Sequence, residues 1–423
     1  MLLFQDTKNK FNRIIELLVL SIPLLLITGP FLSDLALTIV AIFFLFMHKE
    51  YFKNEIIVKY FIFYFLIFYI VILASSLFAF DPMLSLKNSI FYFRFLLFSI
   101  CFYYLLKRNS KMLNYLFYVL IFCFFILIFD GFFQAYFKFN IFGLQVNQEY
   151  FGGRISSFFG DELILGSYLT RFSPLLIGLS LFYYEKRKGF KLYLLFLIFL
   201  LEIIIFLSGE RTAFLLFNLI IVLLLIFLNN TGNINKAILF SVPVIILILV
   251  LVESPSKKRI INETLKDLKP KDYNSKFVII NKQYHEHFIS SYRIFLDNKL
   301  LGVGPKNFRN ICHDERYKLS ENTCSTHPHN TYLQLLSETG IFSFILIIIL
   351  FIALNFLLFR HLYFKLFKKA AYLSNFQVCI IIHFFISLFP LTPTGSFFNN
   401  WLSIVYYYPL GILFWSLNNK KIT

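Results

Sequence analysis

Long apolar runs separated by short polar stretches recur along this chain of 423 residues. Most runs hold about 17 to 25 residues, the length that an α-helix needs to cross the hydrocarbon core of a bilayer. The chain is also 58% hydrophobic and only 15% charged. The pattern predicts an all-α, polytopic membrane protein with about twelve transmembrane helices. The predicted spans are 14–29, 31–47, 57–79, 88–106, 113–136, 162–184, 190–207, 211–228, 237–253, 331–359, 371–389 and 397–417.

The positions of Lys and Arg predict how these spans are oriented, because short loops rich in them stay cytoplasmic. With a cytoplasmic N-terminus, twenty basic residues fall in cytoplasmic segments and four in the short loops opposite. Both termini are therefore predicted to be cytoplasmic. Topology then accounts for most of the net charge of +17, and nucleic-acid binding is not needed to explain it.

One polar segment, residues 254–330, is much longer than the other connections. It separates predicted helices 1–9 (1–253) from helices 10–12 (331–423) within one membrane domain, and the alternation places it in the periplasm. Long translocated loops are exempt from the charge rule, and a connection of this length is usually functional. The stretch YHEHFISSYRIFLDNKLLGVGPKNF has helical spacing of apolar residues and predicts a surface helix followed by a Gly-Pro turn.

Two cysteines in this loop, Cys312 and Cys324, lie twelve positions apart. In an oxidising periplasm they are expected to form a disulfide, and two free thiols are the alternative.

Ionisable residues inside predicted spans need a partner or a function, because each costs about 2.5 kcal/mol or more at the bilayer centre. Arg171, beside a proline in GSYLTRFSPLLIG, is a candidate to face a polar cavity. Arg94 either has a function or extends toward the interface. Glu202 is the expected partner of one of these arginines.

The stretch SGERTAFLLF places Arg211 in the first turn of a predicted helix. Free backbone amides and the helix dipole favour an anion at that position, which predicts a phosphate site. The alternative is an arginine that anchors the span at the lipid headgroups.

The stretch CSTHPHNTYLQLLSETG precedes the longest predicted span. Thr331 and Gln334 fit a capping box, which predicts that the helix begins there. His329 then lies just outside a helix N-terminus, where a neutral ring that can accept a proton is favoured. One alternative is a histidine pair that only caps the helix. The other is a zinc site, although no accepted ligand spacing is matched, and its ligands would be His285, His287, His327 and His329.

Three segments resemble the superfamily of O-antigen ligases and O-antigen polymerases, which are bacterial inner-membrane glycosyltransferases. SGERTAF is similar to an external turn of the family, SYRIFLDNKLLGVGPKNF to a helix and glycine turn, and HPHNTYLQLLSETG to a His-Asn signature. The matching residues are Arg211, Arg293, Gly302, Gly304, Phe308, His329, Asn330 and Gly340. Ser343 departs from the ligase pattern of Gly, Thr or Tyr, which favours a polymerase, whereas the spacing from Asn330 to Gly340 favours a ligase.

The resemblance implies a GT-C-like fold and metal-independent transfer of an undecaprenyl-pyrophosphate-linked oligosaccharide, without a cofactor. The acceptor would be lipid A-core for a ligase or a lipid-linked glycan for a polymerase. An inverting transfer needs a base and positive charge for the departing pyrophosphate. His329 is the predicted base, and Arg211 and Arg293 are the predicted cations. The predicted substrate-binding residues are Asn330, His327, Arg171, Lys306 and Arg309.

A transporter of lipid-linked glycans is the alternative from another class. Transporters of this size tend to have related halves with substrate groups near the membrane midplane. Here the candidate residues gather at one external face, which favours the enzyme.

Reporter fusions test the predicted orientation. Fusions at Lys188 and Lys368 are expected to be cytoplasmic and a fusion at Asn274 periplasmic, because the basic residues divide twenty to four. The measurement is the activity of a phosphatase that works only outside the cytoplasm, paired with a fluorescent protein that works only inside. The reverse pattern at any of the three positions contradicts the topology.

Overall fold

Every predicted span falls on a helix in the computed structural model of the chain. The structure describes residues 2–47, 56–146, 153–229, 232–268 and 282–419. The main helices are α1 (Leu2–Leu25), α2 (Pro30–Met47), α3 (Ile56–Leu77), α4 (Pro82–Ser89), α5 (Phe93–Arg108), α6 (Met112–Phe137), α7 (Leu165–Tyr184), α8 (Phe190–Leu207), α9 (Arg211–Phe227), α10 (Gly232–Leu251), α11 (Lys282–Asp297), α12 (Thr331–Tyr363), α13 (Asn375–Ser387) and α14 (Asn400–Asn418). Shorter helical turns are Ile90–Tyr92, Ser157–Phe159, Pro255–Lys257, Lys258–Glu263, Thr264–Leu268, Phe308–Ile311 and Phe364–Lys368. No strand occurs in these described ranges, which confirms the all-α prediction.

Six helical segments in the described part of the chain are long and apolar enough to cross a membrane. They are Val58–Leu77, Pro82–Arg108, Met112–Phe137, Leu165–Tyr184, Phe190–Leu207 and Thr331–Lys368. Shorter apolar helices are Pro30–Phe46, Arg211–Phe227, Ser241–Leu251 and Asn375–Ser387. The chain is therefore a multi-pass membrane protein, while the count of twelve spans and the periplasmic position of residues 254–330 stay predictions. The basic residues Lys49, Lys53, Lys420 and Lys421 and the reporter position Asn274 lie outside the described residues.

The interior of the helix bundle is formed by α5, α7, α13 and α14. Helix α5 packs against α2 and α14, and α7 packs against α13. Nearly every side chain of these four helices is buried. Helices α3 and α12 instead expose large apolar side chains such as Phe63, Ile349 and Phe356. Exposed apolar helix faces of this kind are typical of contact with lipid.

Pro409 leaves a gap in the hydrogen bonds of α14. Proline has no N–H, so the carbonyl of Val405, four residues earlier, has no donor within the helix. His383 of α13 lies at this gap, with its Nε2 3.0 Å from the Val405 oxygen and its Nδ1 2.7 Å from the Arg171 carbonyl of α7. Both oxygens only accept, so an uncharged ring donates to one of them and packs against the other. One imidazole therefore contacts the backbone of both α7 and α14.

Helix α12 is broken at Gly340, whose backbone has φ 73° and ψ −172°. The break frees carbonyl groups in the preceding turn, and the turn that follows α11 supplies their donors. Val303 N donates to Ser337 O over 2.9 Å, and the next amide, of Gly304, donates to the Glu338 carbonyl over 2.8 Å. We call this joint between residues 302–304 and 337–341 the glycine splice.

The glycine splice requires glycine because two backbones touch. A Cβ on Gly340 would lie 2.0 Å from the Leu300 oxygen, and a Cβ on Gly302 would lie 2.4 Å from the Glu338 carbonyl carbon. Ser75 of α3 also donates to the Glu338 carbonyl oxygen over 2.9 Å. The splice therefore joins α3, α12 and the turn after α11.

Replacing Gly340 with alanine is expected to lower the thermal unfolding midpoint strongly, because the new Cβ would collide with a backbone oxygen. Gly143→Ala is the matched control, since Gly143 has a similar φ of +81° but nothing within 4 Å of the Cβ position. The control carries only the backbone penalty, about 1 kcal/mol. Equal midpoints for the two purified variants would contradict the steric role of the splice.

Candidate active site

Helix α11 forms on the predicted stretch and presents a polar buried face. His287, Ser290, Ser291 and Ile294 follow the helical spacing i, i+3, i+4 and i+7, and all four are fully buried. Ser291 Oγ lies 2.9 Å from both the Leu333 carbonyl and Ser337 Oγ of α12. This face therefore holds α11 against the start of α12.

Three histidines meet beside α11, and we call His287, His327 and His329 the imidazole cluster. The ring centroids of His327 and His329 lie 4.1 Å apart, and those of His287 and His329 lie 5.4 Å apart. The ring of Tyr284 lies 5.2 Å from that of His329. The structure thus brings the two histidines of the HPH stretch together with side chains of α11.

The backbone at His329 is left-handed, with φ 57°, and its carbonyl accepts from Thr394 N over 2.9 Å. The next residue, Asn330, is the true N-cap of α12, since its Oδ1 accepts from Tyr332 N and Leu333 N over 3.0 and 3.1 Å. The predicted helix start is correct, but the predicted capping box is wrong. The Gln334 side chain instead contacts Glu338, Ser396 and Phe397.

Hydrogen bonds decide which ring nitrogens of the cluster carry protons. His287 Nδ1 lies 2.7 Å from the Thr323 carbonyl, which only accepts, so Nδ1 carries the hydrogen. His287 Nε2 is buried and has no partner among the described residues. His327 Nε2 lies 3.2 Å from the Thr394 carbonyl and therefore donates. His329 Nε2 shares a hydrogen bond of 3.0 Å with Ser325 Oγ.

Burial, together with smaller contributions from the neighbouring rings of His327 and His287, lowers the pKa of His329 to about 3. Burial also lowers the pKa of His327 to about 4, with a contribution from the positive charge of Arg309. Both rings are therefore neutral at pH 7, as expected for His329. The cause is different from the predicted one, because desolvation dominates rather than the helix N-terminus.

Arg211 begins α9 as predicted, but its guanidinium is paired. Nη2 lies 2.6 Å from Glu263 and Nη1 lies 2.7 Å from Asp267, both in the helical turns before residue 269. The preceding residue, Glu210, accepts from Gly166 N and Ser167 N over 2.6 and 3.1 Å and so caps α7. The SGER turn therefore joins α7, α9 and the segment 255–268.

Two further arginines surround the SGER turn. Arg154 Nε donates to the Ser208 carbonyl over 3.3 Å, and Arg259 Nε donates to the Gly209 carbonyl over 3.1 Å. Burial lowers the pKa of Arg154, while the charge of Glu210 opposes this shift. Arg154 also interacts electrostatically with Tyr284, whose ring contacts His329 of the imidazole cluster.

Lys306 and Arg309 lie on another side of the imidazole cluster. Arg309 Nη2 donates to the Thr326 carbonyl over 3.3 Å, next to His327. Burial lowers the pKa of Lys306, and the charge of Arg309 lowers it further. Arg293 differs from both, because it is exposed on α11 and has no hydrogen bond or ion pair with any described residue. A helical step of six residues also turns it away from His287.

The remaining predicted site residues lie closer to the bundle. Asn330 is buried, and its Nδ2 donates to the Pro390 carbonyl over 2.8 Å, so both ends of its side chain hold the backbone. Arg171 is only 5% exposed. The predicted pairing of Glu202 with an arginine is wrong, since Glu202 accepts from Asn218.

Arg94 pairs with Asp34 at 2.7 Å. Asp34, and not Glu202, is therefore the partner of Arg94.

Cys312 and Cys324 are joined by a disulfide, with their Cα atoms 5.4 Å apart. Together with His313 they are the only described group of three or more His, Cys, Asp or Glu ligand atoms within 4.8 Å of one another. Bonded sulfurs are not thiolate ligands, so this group cannot hold a metal while the disulfide is intact. The four histidines of the zinc alternative do not form such a group in the described residues.

These contacts place the three sequence segments in one region, and the same region is where a known family matches. Residues 192–348 match the family described as O-Antigen ligase. The resemblance to the O-antigen ligase superfamily is thus confirmed. The match covers α8 to the first half of α12 and includes Arg211, Arg293 and His329. No curated protein matches the chain.

Three residues of this candidate site were not singled out from the sequence as parts of it: Tyr284, Arg154 and His287, which was considered only as a zinc ligand. The spacing of His287, Ser290, Ser291 and Ile294 was a usable signal, because it places the histidine on the packed face of α11. No local signal marked Arg154, whose position depends on contacts with the distant SGER turn.

The free energy of unfolding is expected to fall as pH is lowered from about 6.5 toward 4. In that range the unfolded histidines bind protons while the folded rings of His327 and His329 stay neutral, so protons favour unfolding. Each ring contributes on the order of 1 to 2 kcal/mol by pH 5. Chemical denaturation at pH 7, 6 and 5 measures the slope.

The variants His327→Asn and His329→Asn are expected to flatten this pH dependence. His313→Asn, at an exposed position of the same loop, is the control. A slope that is unchanged in both cluster variants would show that these rings do not titrate abnormally.

Proposed function

We propose that this O-antigen ligase-like protein transfers a glycan from undecaprenyl pyrophosphate onto lipid A-core at the periplasmic face of the inner membrane. The observation that carries the proposal is the neutral, partly buried ring of His329, whose neighbours Tyr284 and His327 each interact with an arginine. Arg154 approaches through Tyr284, and Arg309 approaches through His327. A base between cations suits a reaction in which a hydroxyl loses a proton and a pyrophosphate departs.

In this mechanism the acceptor hydroxyl oxygen forms a bond to the anomeric carbon of the donor sugar, with inversion. The bond from that carbon to the phosphate oxygen breaks, and its electron pair leaves with undecaprenyl pyrophosphate. The hydroxyl proton passes to His329. It takes the proton on Nδ1 if Ser325 accepts a hydrogen bond from Nε2–H.

The low pKa of His329 makes it a weak base in the empty site. A bound pyrophosphate would bring negative charge beside the ring and raise its pKa, because an opposite charge favours the imidazolium. The base would therefore strengthen only when the donor is bound.

Arg211 and Arg293 are the proposed pyrophosphate ligands, with Lys306 and Arg309 as further cations. Arg211 contributes its guanidinium, which Glu263 and Asp267 hold in place through ion pairs. A phosphate must therefore share this guanidinium with the two carboxylates or displace them. Arg293 is free to turn toward a ligand from the exposed face of α11. Arginine suits this task because it stays charged and presents two parallel donors.

An O-antigen polymerase is the second candidate, favoured by Ser343 at a position where ligases carry other residues. Its acceptor would be a lipid-linked glycan instead of lipid A-core. The residues and the proton path would be the same, and neither version requires a metal. A transporter is less favoured because the candidate residues lie at one end of the bundle rather than at mid-depth.

The test is complementation of a deletion strain, read on lipopolysaccharide gels and by analysis of lipid-linked glycans. Long glycans that accumulate on undecaprenyl pyrophosphate indicate a ligase, and single repeat units on the core indicate a polymerase. An unchanged profile would refute both. His329→Ala should fail to complement, and His313→Ala should complement.

With purified protein, His329→Ala should lose roughly 100-fold to 10,000-fold in turnover and keep its donor affinity, since the ring acts on the acceptor proton. Arg211→Lys and Arg293→Lys should weaken donor binding, because lysine lacks the fork. Arg316→Lys, an exposed arginine paired with Asp314, is the control. Full turnover by His329→Ala, or loss of activity in EDTA that a divalent metal restores, would overturn this division of roles.

A further inference from the structure

Arg171 is a buried cation without a compensating partner. It lies about 9 Å from the start of α7, from a rise of about 1.5 Å per residue, and is 5% exposed. No hydrogen bond or ion pair links its guanidinium to a described residue, and Nη1 is completely buried. An unpaired charge in such a place is costly. Arg94, the other arginine inside a predicted span, shows the usual solution in its ion pair with Asp34.

The nearest carboxylate does not neutralise Arg171. Glu210 is within electrostatic range, but no ion pair forms. Its Oε1 accepts from Gly166 N, and its Oε2 accepts from both the amide and the hydroxyl of Ser167. His383 contacts the backbone carbonyl of Arg171 and makes no hydrogen bond with its guanidinium. The guanidinium therefore keeps its donors available.

The groups that face Arg171 are polar and incompletely bonded. The largest electrostatic contribution at Arg171 comes from Tyr406 of α14, whose hydroxyl is buried and outside hydrogen-bond geometry with every described residue. Tyr406 in turn interacts with Thr331, the first residue of α12. Thr331 Oγ1 lies 3.1 Å from Thr394 Oγ1. Hydroxyl and guanidinium donors thus converge from three helices.

These side chains are connected to the imidazole cluster through Thr394. Thr394 separates them, because its amide donates to the His329 carbonyl over 2.9 Å and its carbonyl accepts from His327 over 3.2 Å. A ligand bound by Arg171, Tyr406 and Thr331 would therefore be separated from the proposed base, His329, only by Thr394.

We propose that Arg171, Tyr406 and Thr331 form a buried binding pocket for a phosphate oxyanion. The anion supplies the charge that Arg171 lacks and accepts from the unpartnered hydroxyl of Tyr406. In this desolvated setting one phosphate contact is stronger than it would be at the surface. Its occupant, a phosphate of the departing lipid pyrophosphate, rests on the proposed function, whereas the pocket itself does not.

The test uses the purified full-length protein, with binding and thermal unfolding measured in the absence of any transfer assay. Arg171→Met should unfold at the same or a higher temperature than the wild type without ligand, because an uncompensated charge is removed. It should bind inorganic pyrophosphate roughly 30- to 100-fold more weakly and lose the stabilisation that pyrophosphate gives.

Arg94→Met is the matched control, since it removes an arginine that has a carboxylate partner. It should unfold at a lower temperature and keep its pyrophosphate affinity. Tyr406→Phe, which keeps the ring and removes the hydroxyl, should weaken binding several-fold and serves if Arg171→Met does not fold. Wild-type pyrophosphate affinity in Arg171→Met would overturn the proposal. Where Tyr406→Phe replaces a variant that does not fold, wild-type affinity in Tyr406→Phe would overturn it as well. The proposal would also fail if Arg171→Met were less stable than the wild type but were still stabilised by pyrophosphate.

Two further ligands identify the occupant. Undecaprenyl pyrophosphate should show the same dependence on Arg171 as inorganic pyrophosphate if the pocket serves the donor. A monosaccharide phosphate that alone shows this dependence would assign the pocket to a phosphorylated acceptor and overturn the donor assignment. A protein that binds pyrophosphate through Arg171 but transfers no glycan would refute the proposed function and leave the pocket standing.

Discussion

The glycine splice is the constraint on which the site depends. Backbone carbonyls buried in a membrane protein must find donors, and the break at Gly340 leaves two of them unpaired within α12. The amides of Val303 and Gly304 satisfy them. The turn after α11 thus supplies hydrogen-bond donors that the helix itself would otherwise have provided. Because the contact is between main chains, it leaves no room for side chains and sets the register between α11 and α12.

The register matters because each partner carries part of the site. Lys306 and Arg309 follow the glycine turn, while His329 and Asn330 precede α12 by fixed steps from Gly340. Helix α11 adds Tyr284 and His287. The disulfide between Cys312 and Cys324 anchors the loop that connects α11 to α12. Neutral rings, cations and hydroxyls are therefore held by backbone and covalent links. Rigid placement of this kind lowers the entropy that a reaction must overcome.

Sequence reasoning identified what depends on local pattern. The helix positions follow from apolar length, the helix at residues 282–297 from its spacing, and the motif glycines from resemblance. It failed where a partner lies far along the chain. Arg211 could be placed at a helix start, but its pairing with Glu263 and Asp267 depends on how the segment 255–268 folds back.

The prediction of a capping box at the start of α12 was wrong for a related reason. Thr331 and Gln334 had the right spacing, yet Gln334 is occupied by Ser396 and Phe397 of a later loop. Local rules are overridden when tertiary contacts offer better partners. The same limit hid the contacts of His287, whose hydrogen-bond partner Thr323 lies 36 positions away.

The hydrogen bond between His327 and Thr394 spans 67 positions, and it has a consequence for biosynthesis. The loop that carries the histidines leaves the ribosome well before Thr394 and Tyr406 are made. A nascent chain that stops before α14 therefore contains His329 and Thr394 but lacks Tyr406. The interactions of Tyr406 with Arg171 and Thr331 therefore form only after translation has reached the last helix.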